Sequence, residues 1–150
     1  MGQALTEREI EAVVREVTDE EIAFYHEYGW VMMKGLVDRD FATELLSVGQ
    51  AWLEHEGEEK NRHLARQAET EPFRSFMFSE RMSKNATRLV NRKRLKDVDI
   101  PLRYRIDMLL HKPPGAAGAT YHQDASEHGS DRVGELQFWL ALAEVLPEMK

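Results

Sequence analysis

An α+β domain is the fold class that this 150-residue chain predicts, and two observations carry the prediction. Up to about residue 100, apolar residues recur at helical spacing among many charges; from Pro101 onward the spacing falls to two and turn residues multiply. At 42% apolar and 31% charged residues, the composition suits one water-facing core and is too apolar for a disordered chain.

The elements follow in order. Residues 5–17 set Leu5, Ile10, Val13, Val14 and Val17 among Glu and Arg, an amphipathic helix. Thr18-Asp19-Glu20-Glu21 is a capping box that opens a second helix with Ile22, Phe24, Tyr25 and Tyr28, and Gly29 is suited to end it in the left-handed conformation. Trp30-Val31-Met32-Met33-Lys34 reads as a short buried strand stopped by Gly35. Asp38 or Asp40 caps a helix through Phe41, Leu45, Leu46, Val48, Trp52 and Leu53. Residues 54–72 are strongly charged, a solvated helix end and a loop, and Phe73 to Phe78 is a short aromatic stretch. Between 81 and 96 the chain carries Arg81, Lys84, Arg88, Arg92, Lys93, Arg94 and Lys96 with no acid. This is either a solvated helix face or a patch for an anionic partner, and no aromatic residue is interleaved to stack bases.

Beyond Pro101, Tyr104, Ile106, Met108 and Leu110 alternate with Arg105, Asp107, Leu109 and His111, a strand with one wetter face. Lys112-Pro113-Pro114-Gly115 halts it. Thr120 to Asp124 reads as a second strand, and Glu135 to Val145, with Leu136, Phe138, Trp139, Leu140 and Leu142, as a third that Pro147 ends.

Several function classes drop out. The chain has no cysteine, which excludes disulfide scaffolds, thiolate metal sites and thiol nucleophiles. A formal charge of -7 gives no global attraction to nucleic acid or anionic lipid. No apolar run reaches membrane-spanning length, and Gly2 with Thr6 only loosely fits a myristoylation pattern, with no polybasic second anchor. A cytoplasmic location is the expectation.

His122-Gln123-Asp124 is the triplet with chemical content. In an extended chain, residues i and i+2 face the same way, so imidazole and carboxylate converge while Gln123 points aside. A neutral nitrogen and a hard oxygen fill two adjacent positions of a divalent metal site. They are two-thirds of the 2-His-1-carboxylate triad whose open positions suit non-haem Fe(II). On a surface loop the same triplet is simply a His beside an Asp, so its surroundings decide. Elsewhere, His26, His55 and His63 read as solvated or partly buried without a task, and His111 faces either the site or solvent. Trp30, Trp52 and the seven Met residues read as core, and Trp139 as core or as lining the substrate cavity.

The surroundings resemble the phytanoyl-CoA dioxygenase family. The resemblance lies in Met108-Leu109-Leu110-His111-Lys112-Pro113-Pro114-Gly115, the spacing to Tyr121-His122-Gln123-Asp124, and Leu136 to Leu142 followed by Leu146-Pro147-Glu148. Thr18 to Ile22, Tyr28 to Val31 and Gly35-Leu36 are similar to that family's first helix and strand. The resemblance implies N-terminal helices packed on a double-stranded β-helix (a cupin-like jelly roll) that uses Fe(II) and 2-oxoglutarate to hydroxylate a small organic substrate. It implies His122 and Asp124 as iron ligands, and it sets Arg105, Asp107 and Leu109 at positions facing the co-substrate.

The departure from the family lies downstream. There the family takes a second His and a carboxylate-binding Arg from later strands, whereas only residues 125–150 follow here. Their one histidine, His128, and Arg132 are both local to the triplet. The expectation is a single dioxygenase domain cut off midway through an incomplete barrel, weakly active or inactive. Its partners would be a small-molecule substrate and either a second copy through the edge strand or the missing C-terminal half, with no nucleic acid and no membrane. Two readings compete with it: a non-catalytic binding or interaction module derived from the same fold, and a small helical nucleic-acid binder using residues 81–96.

Overall fold

The structure is a computed structural model that describes residues 3–56, 63–65, 69–90, 102, 104–111 and 136–145. Among them are five helices: α1 (Glu7–Val13), α2 (Asp19–Tyr28), α3 (Arg39–Glu56), α4 (Phe73–Met77) and α5 (Glu80–Val90).

Short polar side chains set where the helices begin. Thr6 and Thr18 each form a reciprocal capping box, with Glu9 and Glu21 three residues on, so two otherwise orphaned amides are satisfied at each start. Asp38 caps α3, its Oδ1 accepting from the amides of Asp40 at 2.8 Å and Phe41 at 3.3 Å. Ser79, buried, caps α5 by accepting from Met82 N–H while its hydroxyl donates to the Phe76 carbonyl. Gly29 closes α2 with a φ of 78°, a conformation that a residue with a Cβ resists.

The first helix is shorter than its periodicity predicts. The amide of Val14 closes the last turn on Ile10 at 2.8 Å, and the chain then straightens. Val14 and Val37 form an antiparallel bridge, with Arg15 N–H donating to Leu36 and Asp38 N–H to Val13 at 3.0 and 2.7 Å. Val13 and Val14 are β-branched and give up little by leaving the helix. Val14 and Val17 are still fully buried, but from an extended chain.

Two clusters form the core. Ile10, Val14, Phe41, Leu45, Leu64, Phe73, Phe76 and Met82 join α1, α3, α4, α5 and the turn at 63–65; Val17, Leu36 and Leu89 form the second. On α3, Phe41, Leu45, Val48 and Trp52 fall on one stripe and pack together in the first cluster.

The expected jelly roll does not form among the described residues. Among the described residues there is no β-strand, and the Val14–Val37 bridge is the only strand-like pairing. The architecture there is mostly helical, not helices on a barrel. The period-two patterns appear as alternate burial, but in 104–111 with the opposite phase. Asp107 and Leu109 of the expected wetter face turn inward, while Ile106, Met108 and Leu110 are exposed. Trp139, expected in the core or a cavity wall, is 71% exposed. Leu109, Phe138, Leu140 and Leu142 pack on the first cluster, and Val31, Met33, Leu136 and Phe138 on the second, while the residues between them face away. Alternation reports which side of a segment is buried; a strand also needs a neighbouring backbone to complete a ladder, and spacing does not reveal one. The 30–34 stretch shows the difference. It is no buried strand, because Trp30 and Met32 lie exposed.

Candidate functional site

Three of the proposed site residues sit on the segment 104–111, which a small polar knot fastens to the helices. The Tyr104 ring lies 4.6 Å from that of Phe78, and its hydroxyl donates to Oδ1 of Asp107. Oδ2 of Asp107 accepts from the buried amide of Ala65 at 3.0 Å. The backbone carbonyl of Asp107 pairs with Nδ1 of His63; a carbonyl can only accept, so that nitrogen carries the proton. Burying a carboxylate is costly unless donors surround it, and here two are supplied from within the chain.

Two residues on, Leu109 rests against α3. The helix surface there is Gly49, buried, where an added Cβ would lie 3.4 Å from Leu109 Cδ2 and 3.7 Å from Phe73 Cζ. Spacing places Arg105, Asp107 and Leu109 on one face. The structure turns Asp107 and Leu109 together toward the helical body and leaves Arg105 exposed. Asp107 therefore holds its own segment to the turn at 63–65. His122 and Asp124 lie outside the described residues, as do His128 and Arg132. Among the described residues, no group of three or more His, Asp or Glu side chains gathers to hold a metal, and no helix is long and apolar enough to cross a membrane.

The basic run resolves into ion pairs where it is described. Arg81 reaches Glu11 at 3.3 Å and also pairs with Glu16. Arg88 pairs with Asp19 at 2.8 Å and donates to the Val17 carbonyl at 2.6 Å, and Lys84 pairs with Glu80 one turn earlier. Acids of α1, α2 and their connection thus neutralise this part of α5. Arg15 does the same at α2, gripping Glu21 with both terminal nitrogens at 2.9 and 2.6 Å and reaching the Lys34 carbonyl. That hydrogen bond holds the Glu21 carboxyl below the ordinary carboxylate range and raises Arg15 in turn. A shallow groove between α1 and α3 has an apolar floor and an acidic rim of Glu9, Asp38, Asp40 and Glu44, but Glu9 and Asp38 are already spent as caps.

Sequence reasoning missed three polar residues. Asn85, buried, donates to the Arg15 carbonyl at 2.9 Å and accepts from Val17 N–H at 3.0 Å. His26, expected to be idle, pairs with the Leu89 carbonyl at 2.8 Å, and His63 has the knot described above. One signal was available: Leu64-Ala65 is an apolar pair inside the charged stretch 54–72, and both residues are buried.

No protein-family model matches the chain, and no curated protein or solved structure matches it at a significant level.

Proposed function

We propose that the chain carries the helical body and the first two metal ligands of a non-haem Fe(II)/2-oxoglutarate-dependent dioxygenase, a hydroxylase of a small organic substrate similar to the phytanoyl-CoA dioxygenases. The observation that carries this reading is an order in the sequence: the alternating segment 104–111, the Lys112 to Gly115 stop, His122-Gln123-Asp124, then the alternating segment 136–142.

The donor types suit iron, but they are two of the three that the triad needs. His122 and Asp124 would hold the ion, while the carboxylate-binding Arg that the family takes from a later strand has no counterpart after the triplet except the local Arg132. When bound, iron and 2-oxoglutarate would supply C–H hydroxylation by dioxygen, one oxygen atom going to the product hydroxyl and the other to succinate, with loss of carbon dioxide. The reading carries a cytoplasmic location with it, the reducing compartment in which ferrous iron persists.

Anaerobic titration with Co(II), a spectroscopic stand-in for Fe(II), tests the proposal. The expected result is a weak visible-absorbing site that His122→Ala and Asp124→Ala each abolish, with no 2-oxoglutarate turnover because two protein ligands hold iron loosely. Absence of a Co(II) spectrum, or one that both variants keep, removes the dioxygenase reading. The second reading, a non-catalytic interaction module, is favoured by the apolar residues that 104–111 and 136–145 turn outward, and it predicts no metal site.

A further inference from the structure

The groove between α1 and α3 has a floor of Leu5, Ala12, Val13 and Phe41 and takes up about 380 Å³, at the lower end of the roughly 300–1,000 Å³ usual for ligand clefts. Leu5, Val13 and Phe41 also pack in the first core cluster, so the core beneath holds the floor in place. Its walls are tied together where Asp38 N–H donates to the Val13 carbonyl at 2.7 Å. Four exposed carboxylates, Glu9, Asp38, Asp40 and Glu44, stand around it.

The charge of this rim is uncompensated. Glu11, Glu16 and Asp19, the acids facing α5, are matched by Arg81 and Arg88. Among the described residues, none of the four rim acids is in an ion pair. Capping engages only one oxygen of each cap: Oε2 of Glu9 accepts from the Thr6 amide, and Oδ1 of Asp38 from the amides of Asp40 and Phe41. Those bonds fix where the two carboxylates stand and leave their second oxygens for another donor. Asp40 and Glu44 are one turn apart on α3, a spacing at which like charges oppose the helix. Among the described residues, no three acids gather closely enough to share one metal ion, so spaced cations answer this rim better than a single one.

We infer that the groove docks a basic segment of a partner protein, with an apolar side chain seated on the floor and flanking Lys or Arg side chains reaching the four carboxylates. The floor supplies contact area away from water, and the rim selects the sign of the partner and turns acidic segments away. The inference does not depend on the metal reading.

Fluorescence anisotropy of a labelled peptide, Lys-Arg-Leu-Leu-Arg-Lys, titrated with the full chain at low salt tests it. The expected result is saturable binding that salt weakens. Glu44→Lys on the rim and Ala12→Gln on the floor should each weaken it at least fivefold while far-UV circular dichroism shows the helices intact. Replacing both leucines of the peptide by serine should weaken it as much. Glu27→Lys, which reverses an exposed acid of α2 outside the groove, should change it less than twofold. Absence of saturable binding by the wild-type chain overturns the inference, as does binding that both folded groove variants leave unchanged. A serine peptide that binds equally well, or a Glu27→Lys effect as large as that of Glu44→Lys, also overturns it, since the attraction is then to the overall charge of -7.

Discussion

Asn85 is the residue on which the meeting of α5 with the chain before α2 turns. Its amide replaces water for one carbonyl and one N–H that the extended stretch 15–17 leaves without backbone partners. Asn85→Ala leaves the buried Val17 N–H and the half-buried Arg15 carbonyl without this partner, and unfolding in urea should show a loss of about 2 kcal/mol, most of it from the buried amide. Asp107 is parallel. Asp107→Ala removes the acceptor for the Ala65 amide and the Tyr104 hydroxyl, and a loss of about 2 kcal/mol is expected by the same measurement. A stability unchanged by that substitution would show that the knot is not what holds the segment. Neither role was legible in the sequence. Asn85 reads as part of a solvated helix face, and Asp107 as an acid on the wetter side of its segment that the family resemblance sets facing the co-substrate, because burial of a polar group depends on partners far along the chain.

Two helix starts, Thr18 and Asp38, were by contrast read from the sequence, since the cap and its amide lie within three residues of each other, whereas the Thr6 and Ser79 caps were not. Thr18, Glu21 and Gly29 stand where the local pattern places them. What the pattern could not supply is Arg15, whose grip on Glu21 makes this cap pH-sensitive. The hydrogen bond from Arg15 and the Thr18 amide lower the Glu21 pKa in the folded chain from the ordinary 4.5. The stabilisation is therefore fully present above that value and is lost as pH falls through the lower folded value. The difference in unfolding free energy between wild type and Glu21→Gln should be constant above about pH 6 and shrink steadily below pH 4.5. Helix α3 offers a test of packing. An added methyl at Gly49 reaches Leu109 and Phe73 at ordinary contact distances, while glycine costs a helix about 1 kcal/mol relative to alanine. Gly49→Ala should raise the melting temperature slightly, and Gly49→Leu should lower it, because the larger side chain displaces Leu109 from the helix.

For the whole molecule, the sequence discloses periods more readily than partners. Period two is visible in 104–111 and 136–145 and is expressed as alternate burial, but the barrel that the family resemblance adds requires backbone pairing, and the described residues do not form it. The metal pair His122 and Asp124 remains a reading of sequence, because both lie outside those residues. The phase of the alternation has a direct consequence for stability. Phe138 packs against both core clusters and so joins the segment 136–142 to the two halves of the helical body, whereas its neighbour Trp139 points outward and is 71% exposed. Phe138→Ala should lose about 3 kcal/mol, as truncating a packed aromatic ring does. Trp139→Ala, although it deletes the larger side chain, should lose less than about 0.5 kcal/mol when measured at concentrations too low for self-association. Denaturant unfolding of the two variants at micromolar protein compares them directly. Equal losses, or the reverse order, would mean that the segment presents its other face to the helices, and a one-residue slip of that kind would exchange every inward side chain for an outward one.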